Sequence, residues 1–215
     1  MSWSSGKDST LALHVARHDL GMEVVGLLTT LNATADRVAM HAVRRVLLGA
    51  QAERLGLPLH MVEIPSQCPN DVYEAAMAKV MGSARKAGIA HIVFGDLFLA
   101  DVRAYRERAL HGLGIEPRFP LWGRRTGDLA REMLRVGIRA VVTCVDPRQV
   151  PAHLAGRAYD EQFLADLPEG VDPCGERGEF HTFVWDGPGF ARPIPVEVGE
   201  VVERDGFVFC DVLPA

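Results

Sequence analysis

The 215-residue sequence has no run of about 18 or more apolar residues, so nothing in it reads as a membrane-spanning helix. No charged-then-apolar leader precedes Trp3, which argues against secretion and for the cytoplasm. Cysteine is sparse. Cys68, Cys144, Cys174 and Cys210 are scattered, with neither a Cys-x-x-Cys pair nor the Cys/His spacing of a zinc site, so they read as free thiols. A basic excess is missing too: 23 Lys and Arg face 28 Asp and Glu, and the net charge of −5 argues against broad nucleic-acid binding. Only Arg103, Arg106, Arg108 and His111 cluster as a local basic patch. Internal repeats and low-complexity segments are absent as well.

What is present is a chain that is 48% hydrophobic, enough to build one large domain or a domain with a substantial appendix. Apolar runs at Val24 to Thr30, Leu59 to Ile64, His91 to Phe94 and Ala140 to Val145 read as strands, and strands this apolar suit a parallel sheet covered on both faces. Helical segments alternate with them: Ser9 to Asp19 before Gly21, Val43 to Leu55 before Gly56, Asp71 to Ala87 before Gly88, and Gly127 to Val136 before Gly137. Each glycine falls where a left-handed cap is expected. The pattern predicts a doubly wound α/β fold with ligands at the carboxyl ends of the strands. Only Met1 to Ser4 remain for the first strand, so either it is stunted or the start lies upstream. After residue 146 Pro, Gly and Asp separate short pieces, and Val196 to Val202 and Phe207 to Val212 flank Arg204-Asp205-Gly206 as a hairpin. The expected division is an α/β unit at 1–146 and a smaller α+β unit at 147–215, whose apolar hairpin is a candidate dimer edge.

The sharpest motif is Ser4-Ser5-Gly6-Lys7-Asp8-Ser9. It is similar to the pyrophosphate loop of the ATP pyrophosphatases. Gly6 permits close approach of backbone to phosphate, the serines offer hydroxyl donors, Lys7 a positive charge, and the helix that follows a positive dipole end. Lys7 is followed by Asp8 rather than Ser or Thr, which excludes a Walker A loop. An acidic residue beside phosphates makes sense when a divalent cation joins them, so Asp8 points to Mg²⁺. The residue types alone fit equally well a tight turn at Gly6 with Asp8 or Ser9 as helix N-cap.

Three further stretches join it: Met40-His41 ahead of Arg44 and Arg45, the segment from Gly95-Asp96 to Arg106-Glu107, and Asp172-Pro-Cys-Gly-Glu-Arg-Gly-Glu-Phe-His-Thr182. Together with the loop they resemble the diphthine–ammonia ligase family of N-type ATP pyrophosphatases over essentially the whole chain. The resemblance implies a HUP-type fold (adenine nucleotide alpha hydrolase-like) with a smaller C-terminal domain. It also implies cleavage of ATP to AMP and pyrophosphate, with Mg²⁺, to join ammonia to a small or protein-borne carboxylate. Ser5 stands where the superfamily loop has a second glycine, narrowing its dihedral choice, and Arg177 stands where Asn is expected, which bears on the substrate. Lacking the extra domains of eukaryotic relatives, the chain resembles a prokaryotic member.

On that resemblance Ser4, Ser5, Gly6, Lys7, Asp8 and Ser9 hold phosphates, Asp8 also the metal, while Thr29, Thr30, Leu31, His41 and Gly95 surround the nucleotide. Lys7, Asp8, Asp96, Glu176, Glu179 and His181 are the candidate catalytic residues. Asp96 follows an apolar strand, where its plainer role is an N-cap; Asp101, Arg103, Tyr105 and Arg106 are candidate substrate contacts, or one solvated helix face with internal ion pairs. Glu176, Glu179 and His181 lie within six residues in a Gly-broken loop, and would orient ammonia or take its proton. Asp8→Ala is expected to remove turnover far more than folding. Two other readings remain open: an ATP- or AMP-binding protein without ligase activity, and a tRNA-modifying ATP pyrophosphatase.

Overall fold

The computed structural model describes residues 1–32, 37–38, 43–65 and 68–215. Strands β1 (Leu27–Asn32) and β3 (Leu59–Ile64) pair in parallel, with the two-residue β2 (Arg37–Val38) antiparallel to the end of β1. A second parallel pair joins β4 (His91–Val93) to β5 (Glu116–Arg118). The first three residues stitch the pairs together. Ser2 makes a parallel bridge to Leu28, Trp3 N donates to Leu28 O at 2.8 Å, and Ser2 N donates to Val93 O at 2.9 Å. The hydrogen-bonded order is therefore β3, β1, N-terminal segment, β4, β5, so the stunted first strand lies in the middle of the array. Chain order reverses beside it, and such a reversal opens a crevice at the carboxyl ends of parallel strands.

Helices flank this array: α1 (Lys7–His18), α2 (Arg45–Leu55), α3 (Asn70–Lys86), α4 (Ala100–Leu110) and α5 (Thr126–Arg135). The glycine signals work as read. Gly56 takes φ +64 and closes α2, its N–H donating to the Ala52 and Glu53 carbonyls. On one side Leu28, Val62, Ile92 and Phe94 pack with Met81 of α3 and Leu110 of α4; on the other Leu27 and Leu31 pack with Leu13 of α1 and Leu47 and Leu48 of α2.

The C-terminal part is an antiparallel sheet in the order β7 (Phe180–Asp186), β6 (Arg139–Val145), β9 (Phe207–Pro214), β8 (Val196–Arg204), with a short α6 (Glu161–Asp166) between β6 and β7. Residues 140–145, expected in the parallel sheet, pair antiparallel with both β7 and β9. The cause of the misreading is physical. β6 is covered on both faces, Ala140, Val142 and Val145 in one apolar cluster and Val141 in another, and a strand buried twice over reads the same in either sheet type. The hairpin β8–β9 forms as expected: Asp205 (φ +53) and Gly206 (φ +78) give the two left-handed positions of a type I′ turn. β8 is an edge strand with Val198, Val201 and Val202 exposed. Helix α1 joins the two sheets, since Leu11, Ala12, Val15 and Ala16 share a core with β6, Phe180 and Val184.

Candidate functional site

At the chain reversal lies a cavity of about 200 Å³, lined by Ser2, Ser4, Lys7, Asp8 and Ser9 from the first loop and helix, Phe94 to Asp96 after β4, Arg106 of α4, and Gly175, Glu176 and Phe180 to Thr182 around the start of β7. Three regions far apart in sequence, residues 2–9, 94–106 and 175–182, thus meet at one point. The volume is below the roughly 300–1,000 Å³ of drug-sized pockets and suits the polyanionic end of a larger ligand.

Helix α1 begins at Lys7, earlier than expected, and its N-cap is Gly6 in an extended conformation without a side-chain cap. Asp8 and Ser9 sit inside the first turn, so neither is the cap. Lys7 N donates to Thr182 Oγ1 at 3.2 Å, and Ser4 Oγ donates to Ser9 Oγ at 3.2 Å. The Lys7 ammonium is buried. It bonds the Cys174 carbonyl, pairs with Asp8 Oδ2 at 2.9 Å, and lies 5.1 and 5.6 Å from the Phe180 and Tyr159 ring centres. Burial disfavours its charge, but Asp8 outweighs that and holds Lys7 above the usual lysine range, so it stays an ammonium. Gly95 explains the closeness of the second loop: a Cβ there would stand 3.0 to 3.1 Å from the Asp8 carbonyl and Ser9 N.

Asp96 does not cap α4, whose N-cap is Leu99. Its carboxylate takes a two-pronged contact from Arg106, Nε at 2.6 Å and a terminal nitrogen at 3.0 Å, while Arg106 stacks 4.4 Å from the Phe94 ring centre. Of the four candidate substrate contacts, Arg106 alone lines the cavity. Arg103 turns away, bonded to Glu107 and lying over the Phe119 and Trp122 rings; Asp101 is exposed, and Tyr105 couples to Tyr73 and Glu74 of α3.

The loop before β7 divides its acids. Glu176 reaches across to the other loop, its carboxylate accepting from Leu97 N at 2.7 Å and Phe98 N at 3.4 Å. Burial, with Asp8 and Asp96 adding negative potential, pushes its carboxyl up to about 7. Glu179 is buried and faces its own loop, accepting from Arg177 N and Asp172 N, so it fixes the loop and does not line the cavity. His181 does line it. Cys174 is buried, donates its thiol to the Thr126 carbonyl, and is pushed far from thiolate formation by burial, which argues against a sulfur-carrier role.

Elsewhere the nucleotide expectations meet structural roles. Thr29 is buried and its hydroxyl donates to Trp3 O at 2.7 Å, Leu31 is in the core, and Thr30 is half-buried; none lines the cavity. His41 lies outside the described residues. Thr182, Tyr159 and Gln51 were not singled out by sequence; Gln51 had a readable signal, a polar residue on the buried stripe Leu47, Leu48, Gln51, Ala52, Leu55.

The raised Glu176 carboxyl makes a pH prediction. Below about pH 4.5 it is protonated folded or unfolded; between 4.5 and 7 only the folded state keeps the proton, so stability falls as pH rises, and above 7 the full cost of the buried charge is present. Glu176→Gln should therefore match the native protein at pH 4 and exceed it at pH 8 by about 2 kcal/mol, allowing for partial exposure. Urea midpoints at the two pH values test this; parallel curves contradict it.

The family model described as the diphthamide synthase N-terminal domain matches residues 1–117, more than half of the chain, and that of the diphthamide synthase C-terminal domain matches residues 125–212. The chain belongs to the diphthamide synthase family. Among curated members it is similar to the diphthine–ammonia ligases of Homo sapiens, 30% identical over 188 residues, and Mus musculus, 28% over 186 residues; each alignment covers 83% of this chain and 66% of the relative. That of Danio rerio is 32% identical over 120 residues, 53% of this chain and 47% of the relative. The chain thus spans just under two thirds of the length of its mammalian diphthamide synthase relatives. Among the described residues, no helix is long and apolar enough to cross a membrane.

Proposed function

We propose that this protein is an ATP-dependent amide ligase on a HUP-type fold, which cleaves ATP at the α-phosphate and joins ammonia to a carboxylate of the diphthine type. The observation that carries the reading is the convergence, at the reversal of the parallel strands, of the α1 N-terminus with Lys7, Asp8, the Asp96–Arg106 pair and Glu176 around one cavity. The names of the mammalian relatives support the choice of acceptor.

The chemistry needs activation because a free carboxylate has no adequate leaving group. Its oxygen attacks the α-phosphorus of ATP, the bond to the β-phosphate oxygen breaks, and pyrophosphate departs. Ammonia then attacks the acyl carbon and AMP leaves. The α1 N-terminus and the loop from Ser4 to Ser9 stabilise the charge gathering on pyrophosphate. Arg106, held flat by Asp96 and Phe94, orients the acceptor carboxylate. Glu176, with a carboxyl near neutrality and a place on the cavity wall, takes the proton that the attacking ammonia sheds. His181 lines the same wall and orients the nucleophile.

The donor set also suits Mg²⁺, which keeps several waters and needs only one or two carboxylates beside substrate phosphates. Among the described residues no three His, Cys, Asp or Glu side chains converge as a metal cage. Asp8, on the cavity wall and partly exposed, is the carboxylate that would hold the ion, which would supply charge neutralisation on the phosphates.

A pyrophosphate-release assay with ammonia and a panel of carboxylates, including a diphthine-bearing elongation factor, tests the proposal. Release should rise when the matching acceptor is added. If ATP binds yet neither carboxylate nor nucleic acid ever stimulates release, the ligase reading fails and a nucleotide-binding role replaces it.

A further inference from the structure

Ser5 has φ +71, a left-handed conformation that a residue with a Cβ adopts only at a cost. The serine hydroxyl does not select it, because Ser5 Oγ is buried without a hydrogen-bond partner among the described residues. What holds the residue is its carbonyl. Ser5 O accepts from Val184 N at 3.0 Å and from Gln51 Nε2 at 3.0 Å. The same Gln51 nitrogen donates to Val184 O at 2.6 Å, and Gln51 Oε1 accepts from the Trp3 indole N–H at 2.8 Å. An indole can only donate and a carbonyl can only accept, so the orientation of the Gln51 amide is fixed by its partners. Gln51 is fully buried on α2 and thereby ties together the residue two before Ser5, Ser5 itself, and β7.

We infer that Gln51 is a positioning residue for the phosphate loop: it pins the Ser5 peptide in its left-handed turn, which delivers the chain into α1 at Lys7. The inference rests on the nucleotide reading of the loop. Without the clamp the Ser5 peptide relaxes toward negative φ, its carbonyl rotates, and the first turn of α1 no longer meets the cavity in one geometry. Apparent affinity then falls by the fraction of molecules left in the competent form. The strain and the clamp predict each other. Glycine at position 5 adopts φ +71 freely and makes Gln51 dispensable for binding.

The test uses the full chain and titrates the α,β-methylene analogue of ATP with Mg²⁺ by calorimetry, with turnover measured alongside. Gln51→Met keeps the volume and removes the hydrogen bonds; it should weaken binding about tenfold, raising KM for ATP and leaving kcat largely unchanged. Adding Ser5→Gly to Gln51→Met should restore affinity to within about twofold of the Ser5→Gly single variant. A variant that has merely lost core stability would not recover affinity through a glycine. Native affinity in Gln51→Met, or no recovery in the double variant, overturns the inference. Should Gln51→Met not fold, the comparison of Ser5→Val with Ser5→Gly in the native background decides: the β-branched residue should lose affinity, and equal binding overturns the clamp. A native chain that does not bind the analogue refutes the nucleotide reading itself; native binding with an unaffected Gln51→Met refutes the clamp alone.

Discussion

Gly175→Ala is expected to lower stability by about 2–4 kcal/mol and to abolish most activity. Two costs combine. Gly175 has φ +67, where a Cβ costs about 1 kcal/mol, and that Cβ would stand 2.7 Å from the Phe180 carbonyl oxygen, a backbone clash in the range of about 1–3 kcal/mol. Relief requires moving the loop, and the loop carries the site. Cys174 O receives the Lys7 ammonium and Glu176 receives the Leu97 and Phe98 amides, so any shift at Gly175 opens both contacts between the halves of the cavity. Gly178→Ala is the matched control. Gly178 also has positive φ, at +86, but an added Cβ meets nothing within 4 Å among the described residues, so only the backbone cost of about 1 kcal/mol remains. Thermal unfolding of the two variants separates clash from strain; equal losses would contradict the argument.

Asp8→Ala is expected to remove turnover by about a hundredfold or more, as loss of a charge that organises phosphates should. The structure gives the loss of folding stability, expected to be the lesser effect, a definite source. Asp8 is the counter-ion of a buried lysine, and truncating one partner of a buried pair leaves an uncompensated charge, costing about 3 kcal/mol here since the Cys174 carbonyl and two aromatic rings still face Lys7. The pair can be dissected. Lys7→Met together with Asp8→Ala should regain most of the lost stability and none of the turnover. Denaturant melts and single-turnover kinetics on the two variants and the native protein measure both; full native stability in Asp8→Ala would show that the ion pair is not coupled to folding.

Much of the fold was legible because its punctuation is local. Gly56 and Gly137 end helices through their own backbone freedom, and Asp205-Gly206 makes its turn without help from distant residues. Residues 140–145 were not legible in the same way, since an apolar run reports burial on two faces and not the direction of its neighbours. The site divides along a similar line. The hexapeptide is contiguous, and its residue types alone offer either a phosphate loop or a capped turn; the fold shows that neither Asp8 nor Ser9 is the cap. Asp96 and Arg106 are ten residues apart across a strand end and a helix, and only the fold turns them into a pair. Glu176 and Glu179 look alike in sequence; the left-handed turns at Gly175 and Gly178 send the first toward Leu97 and the second back into its own loop. Gln51 stands out locally only as a polar residue on a buried stripe; the partners that give it a role lie 46 to 133 positions away.

The most direct test supplies α-labelled ATP, ¹⁵N-ammonia and a diphthine-bearing acceptor to the native chain and follows both products. AMP and pyrophosphate should form in equal amounts, matched by ¹⁵N incorporated as amide in the acceptor. Formation of ADP and phosphate, or AMP release with no nitrogen transferred to any carboxylate, would contradict the ligase reading.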